Sequence, residues 1–408
     1  MKKSLCSALL LGAMLSPSVS FAEGFGLIEF TTEGVAMGGA AMFIENDAGN
    51  MAYNPVGITL CEGQQLKFSA TYISPRAEYN AFDTGGNFIG SDRSRIHPAW
   101  APGTYYVKKI DDQQWWGLGC FSRFGNMSEF EAGTIAATNN RFAKVQGLSI
   151  TPTYARKAGN KLFWAVGADI NYAKMELQKD YTVSPSPYTG TNKTEGKSWA
   201  LGWNMGLRYA PTDKDNFGLA YRSKISHTLD ADFDWYNSPY GTIHTTAHTK
   251  VTLPDSYHFG YSHKFDKKHR VELSAIRTQW HNFKSLALSF DNALPASESY
   301  HNWKDGWRYA IGYEYNFSNK YTGMLGFAFD DGAIPYDGGD FMIPMGCRRT
   351  YSIGCKYHDK KQTIALTFAY MTLGDLSFKG NGSSDAYASA HSHNNSTKII
   401  SVGYTLHF

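Results

Sequence analysis

From Trp199 to Tyr209 the odd positions carry Trp, Leu, Trp, Met, Leu and Tyr, and the even ones Ala, Gly, Asn, Gly and Arg. A period of two predicts a strand. One face is large and apolar and the other small or polar, which suits a barrel wall with lipid outside and a crowded, wet lumen inside. The alternation recurs from Leu162 to Tyr172, Trp307 to Tyr315 and Ile364 to Tyr370, and at Ile400, Val402, Tyr404, Leu406 and Phe408. About fourteen such segments lie between Gln65 and Phe408, an even number as bacterial barrels have. The chain therefore reads as all-β, a transmembrane antiparallel β-barrel of about 14 strands.

The amino terminus agrees. Lys2 and Lys3 precede an apolar run from Leu5 to Leu15, and Ser20, Phe21 and Ala22 offer a small-x-small cleavage site, so residues 1–22 read as a signal peptide. That run is too short for a membrane-spanning helix, which takes roughly 20 residues. No later stretch reaches that length, which excludes a helical membrane protein. Aromatics at segment ends, such as Tyr209, Tyr321 and Tyr351, fit the girdles at the headgroup level. A last strand ending in Phe408 resembles the assembly signal of outer-membrane barrels, so the barrel assembly machinery and outer-membrane lipid are expected partners. The cell outer membrane of a Gram-negative bacterium is the expected location.

Residues 23–63 precede the first alternating strand, with 64–408 as the barrel. This leading segment is apolar and Gly-rich where a periplasmic tail would be polar, so the lumen is the available place to bury it as a hatch, or plug. Asn46-Asp47, Ala48-Gly49-Asn50 and Asn54-Pro55 supply side chains that bond nearby backbone and fix compact turns. Gly24 to Ile58, GFGLIEFTTEGVAMGGAAMFIENDAGNMAYNPVGI, is similar to the amino-terminal hatch of the FadL-type outer-membrane transporters of long-chain fatty acids and related hydrocarbons. The likeness resumes at FGLAYRSKI (Phe217 to Ile225), LPDSYHFGY (Leu253 to Tyr261) and WKDGWRYAIGYEYNFSNKYTGMLGFAFDDGAIP (Trp303 to Pro335).

The resemblance implies hatch positions at Phe25, Leu27, Asp47, Asn50, Asn54 and Pro55, and capture of a hydrophobic ligand by extracellular loops. It further implies passage to an internal pocket and lateral release at a kink in the third strand. The matching stretch is Trp115 to Asn126, where Gly117, Gly119 and Gly125 make a pliable gate strand. Two departures stand out. The family's NPA reads Asn54, Pro55, Val56 here, and the stretch from Gln178 to Lys197, read as an extracellular loop, is short for a capture loop.

A fatty-acid carrier needs a cation near the carboxylate, because an unpaired anion in a dry pocket is costly. Parity points Arg222 and Arg308 into the lumen, where they either contact ligand or pair with carboxylates such as Glu314 or Asp330. The rivals are a general porin or adhesin barrel, which an occupied lumen disfavours, and an enzyme. His244, His248, His391 and His393 lie in Ser-, Thr- or Asn-rich stretches that read as exposed loops, with no nucleophile motif beside them. No cofactor or metal is implied. Cys347 and Cys355 are separated by a stretch that reads as strand, so no structural disulfide is expected. A formal net charge of +3 without a basic run points to no nucleic acid.

Overall fold

The computed structural model describes residues 24–95, 98–182, 189–238, 241–343, 346–380 and 385–408; the expected signal peptide and Glu23 lie outside the described residues. Within them the strands form fourteen antiparallel staves. The first seven are β1 (Gln64–Phe82), β2 (Phe88–Arg93 and Ala99–Lys109), β3 (Gln114–Phe121 and Gly125–Glu129), β4 (Phe142–Ala158), β5 (Leu162–Thr182), β6 (Thr189–Tyr209) and β7 (Asp215–Arg222 and Ile225–Ser238). The rest are β8 (Gly241–Leu253 and Ser256–Lys264), β9 (His269–Thr278 and Ser285–Phe290), β10 (Ser297–Tyr300 and Gly306–Asn316), β11 (Tyr321–Asp330), β12 (Arg348–His358), β13 (Gln362–Leu373 and Leu376–Lys379) and β14 (Ser389–His407). Each pairs with the next in chain order. The ring closes where β1 meets β14, from Gln65 opposite His407 to Phe82 opposite Ser389. Closure matters because hydrocarbon offers no partner to an unpaired backbone group.

The side chains sort as the alternation requires. Trp199, Leu201, Trp203 and Tyr209 are exposed on the outside, while Asn204 of the same stave is buried within. The ten steps from Trp199 to Tyr209, at about 3.3 Å each and tilted by about 40°, give an apolar band about 25 Å tall. Short turns at 110–113, 159–161, 210–214, 265–268, 317–320 and 359–361 gather at one end, the periplasmic side of such barrels. At the other end the longer connection between β11 and β12 folds inward. There Phe341 sits among Tyr79, Phe130, Phe378 and Tyr387, with ring centroids 5.0–5.6 Å away.

Two expectations are corrected here. The stretch from Gln178 to Lys197 is mostly strand: β5 runs to Thr182, β6 starts at Thr189, and Gln178 lies opposite Lys193. His244 and His248 belong to β8, and His391 and His393 to β14, not to loops. These upper stave ends stand clear of the apolar band, so polar residues occupy them and no hydrophobic alternation betrays the strand. The four cysteines of the described residues are free, Cys355 lying exposed on β12.

Before β1 the chain from Gly24 to Leu60 is almost wholly buried. It holds one short helix, α1 (Thr32–Ala36), and two 3-10 turns, Ala48–Ala52 and Pro55–Leu60. Their starts are side-chain caps: Thr31 accepts from the Gly34 N–H, Asp47 from Gly49 and Asn54 from Val56. Asn50 closes the turn between, its amide accepting from the Ile44 N–H at 3.2 Å and donating to the Ile44 carbonyl at 2.7 Å.

Candidate functional site

The amino-terminal segment meets the inward faces of staves all around the ring. Lys67 of β1, with no exposed surface, donates to Glu33 at 2.5 Å and to Asp47 at 2.7 Å. Glu272 of β9 accepts the Met42 N–H at 2.5 Å and the Phe43 N–H at 3.3 Å. Tyr105 of β2 donates to the Phe30 carbonyl at 2.8 Å, and Thr367 of β13 to that of Thr32 at 2.9 Å. Asn54 donates to the Leu219 carbonyl of β7 at 3.3 Å. Gly206 of β6 leaves room for this contact, since a Cβ there would lie 2.1 Å from the Asn54 oxygen and 3.0 Å from Pro55. Val56, the departure from the family's tripeptide, is fully buried.

The wall itself is interrupted in β3. Phe121 lies opposite Ser149 of β4, and Gly125 opposite Gln146, so Ser122, Arg123 and Phe124 face only Gly147 and Leu148. One extra residue makes a bulge, which bends the strand. On the other side the β2 ladder stops at Gly103 opposite Phe121. The next β2 residue is Pro102, which has no N–H to carry the ladder on. The edge that β3 thereby loses is taken by the amino-terminal segment. Leu27 donates to the Arg123 carbonyl at 2.8 Å, Gly26 bridges Phe124, and the Gly125 N–H donates to the Phe25 carbonyl at 2.9 Å.

Behind the break lies a cavity of about 40 Å³, lined among others by Leu27, Arg123, Phe124, Arg222, Ser256 and His258. Phe25 roofs this region, packed on Trp280 at 4.9 Å, Phe283 at 5.2 Å and Phe124 at 6.1 Å between centroids. Arg222 is 1% exposed, and its Nη2 donates to the Met51 and Ala52 carbonyls at 2.7 and 3.0 Å. Its Nε and Nη1 have no acceptor among the described residues. Arg123 differs, being bound to Asp169 at 2.6 Å.

The structure thus separates the two expected arginines. Arg222 lines the cavity, whereas Arg308 is tied to Asp330 at 2.5 Å and to the Gly38 carbonyl at 2.8 Å, away from it. The glycines separate likewise. Gly117 and Gly119 lie in unbroken ladders on both sides of β3, and a Cβ on either would come within 3.4 Å of Met51. They make room for the amino-terminal segment, and the interruption begins beyond them, with Gly125 at its upper end. Phe25 and Leu27 touch the break; Asp47, Asn50, Asn54 and Pro55 hold the lower turns. Sequence reading missed Arg123, although it continues the odd, inward parity of Trp115, Gly117, Gly119 and Phe121. It also missed His258 and Ser256, whose imidazole and hydroxyl meet at 2.9 Å.

The family described as "Outer membrane protein transport protein (OMPP1/FadL/TodX)" matches residues 13–408. A long-chain fatty acid transport protein of Escherichia coli O6:H1 is 26% identical over 424 residues, covering 94% of each chain. Outer membrane protein P1 of Haemophilus influenzae strain Rd is 24% identical, covering 93% of this chain and 92% of its own. Among solved folds, a Pseudomonas aeruginosa FadL homologue superposes with a TM-score of 0.84 at 17% identity, covering 96% of this chain and all of that one. The Pseudomonas putida toluene transporter TodX gives 0.71 at 18% identity, covering 95% of this chain and all of its own. With a closed barrel and a family match over nearly its whole length, the chain belongs to the FadL/TodX family of outer-membrane transport proteins, which are channels and not enzymes.

Proposed function

We propose that this protein takes up hydrophobic small molecules of the long-chain fatty-acid or hydrocarbon kind, with the amino-terminal segment as hatch and the β3 break as a lateral exit into the membrane. The observation that carries the reading is the break itself, lined on its inner side by apolar rings and one buried arginine with two unmet donors. A ligand leaving there enters lipid directly. It avoids water, which would cost about 0.8 kcal/mol per methylene. Arg222 suits a polar or anionic end, because a buried donor without an acceptor is itself unfavourable. Ligands reach this site from the extracellular loops.

A cavity of about 40 Å³ is too small for such a ligand, since pockets for drug-sized molecules run to about 300–1,000 Å³. Binding therefore displaces Gly24 to Ile28, the part of the hatch that covers the break. The test is deletion of Phe124. It removes the one extra residue, so the Phe121–Ser149 register runs in step to Gly125–Gln146 and Arg123, opposite Gly147, keeps its inward face and its bond to Asp169. Uptake of a labelled alkanoate or alkane should fall at least tenfold while detergent-solubilised protein still binds it. Uptake at the parental rate with the ladder shown continuous would exclude release through β3. An arrest of an alkanoate together with loss of its binding in Arg222→Leu, with alkane binding kept, would assign the arginine to the polar end.

A further inference from the structure

On β4, β5 and β6 the outward positions change abruptly above the upper girdle. Tyr172 and Trp199, opposite each other with centroids 5.1 Å apart, mark the top of the apolar band. The next outward residues are Lys174 and Glu176 on β5, Lys197, Glu195 and Lys193 on β6, and Lys144 on β4. Lys197 stands two residues above Trp199, about 5 Å along the barrel axis, which is the level of lipid headgroups.

Within this patch Lys174 and Lys193 are spoken for. They hold the Glu195 carboxylate at 2.7 and 2.8 Å and pull its pKa down to about 2. Glu176 lies 3.6 Å from Lys193. Lys144 and Lys197 have no carboxylate within ion-pair distance among the described residues. Lys197 is moreover directly opposite Lys174, a like charge whose partner is Glu195. The neighbouring wall has the opposite character: β7 presents Asp230, Asp232 and Asp234 outward, Asp232 opposite Glu195 and Asp234 opposite Lys193. The positive excess is therefore confined to β4–β6 and is bounded by an acidic ladder.

We propose that the Lys144, Lys174, Lys193 and Lys197 patch is a docking site for the phosphate groups of an outer-leaflet glycolipid. Its apolar base is the lipid-facing band below, along which acyl chains lie, and its lysines meet the phosphates at the height where lipid carries them. The site lies beside the upper part of β3, Met127 being opposite Lys144, so a docked glycolipid borders the break in the wall.

The experiment compares the full-length mature protein with Lys144→Gln/Lys197→Gln, two residues without ion-pair partners, so the fold is not at stake. Heat-modifiable migration confirms the barrel in each. Binding is read on lipid discs containing bisphosphorylated or enzymatically dephosphorylated lipid A. The parent should prefer the phosphorylated lipid, and the double variant should lose about tenfold, as expected for two surface lysines at about fivefold each, partly screened. Lys144→Arg/Lys197→Arg should bind as the parent does. Equal binding of both lipids by the parent, or no loss in the double variant, would overturn the proposal. So would displacement by millimolar inorganic phosphate, which would assign the lysines to a soluble anion.

Discussion

The amino-terminal segment is held in two different ways along its length. From Thr31 to Leu60 it is fastened by buried charge and backbone contacts: Lys67 with Glu33 and Asp47, Glu272 with Met42 and Phe43, and Arg222 with Met51 and Ala52. From Gly24 to Ile28 it rests mainly on aromatic rings and on backbone bonds to a strand that is itself bent, with Arg348 and Tyr53 donating to the Gly24 and Ile28 carbonyls at its two ends. Apolar contacts lack direction and survive sliding, whereas a dry ion pair tolerates little displacement. On the proposed function, the lower part stays and the upper part moves. In this arrangement a channel can open towards lipid while remaining shut to ions.

The sharpest way to break this comparison is to remove the segment in portions. Deleting Phe25 to Asn50 should turn a barrel with little conductance into one that passes ions freely, a change of at least tenfold in planar-bilayer recordings. Deleting only Gly24 to Leu27 should leave conductance near the parental level and raise the rate of ligand entry. High conductance after the shorter deletion would show that the upper part also seals the lumen.

The next effect is on stability. Lys67→Met leaves Glu33 and Asp47 buried without their cation and should cost about 3–5 kcal/mol in urea unfolding of the folded barrel. A loss below about 1 kcal/mol would mean that the lower fastening is not what holds the segment. Gly119→Val is milder. It crowds Met51 and should cost about 1–3 kcal/mol, with Met51→Ala restoring most of it. If the loss persists in the double variant, the glycine serves the strand and not the contact.

How much of this was open to inspection beforehand depends on which physics writes into residue types. Outward alternation did, because lipid demands large apolar groups at every second position, and so the wall from Trp199 to Tyr209 was legible. Asp47 and Asn54 were legible as turn formers, and both cap 3-10 turns. The stave ends above the membrane were not, since their ladders need no apolar face; Lys193 and His248 look alike in a loop or a strand. The bulge at Ser122 to Phe124 was hidden for another reason. It is a mismatch in count between two strands, three residues against two, and neither strand shows it alone. Arg222 and Arg308 were found by parity, with Asp330 as a possible partner, but only the fold shows that Arg308 takes that carboxylate while the acceptors of Arg222 are carbonyls.

The smallest expected effect concerns the outer rim. His248 of β8 bridges Asp230 at 2.7 Å and Asp291 at 2.8 Å, and these two carboxylates, Asp291 first, raise its pKa. A raised value in the folded state means that the clasp is complete below about pH 6.5, the ordinary histidine value, and weakens as pH rises through the shifted one. Amide exchange in Ser285 to Phe290, whose ladder with β8 consists of the Ala247 and His248 pairs, should therefore quicken on going from pH 6 to pH 9 once intrinsic rates are corrected. His248→Gln should abolish that dependence. Protection unchanged across this range in the parent would detach the segment's order from the histidine.

The seam between β1 and β14 also sets an order of events. The two staves that close the ring are the first and last of the fourteen, and the amino-terminal segment precedes both. A ring whose final joint is its last-made stave stays open until that stave arrives. Lys67, near the lower end of the seam's first stave, is one of the residues that grips the contents. Closing the joint between β1 and β14 would thus fix wall and contents together, since the same stave serves both.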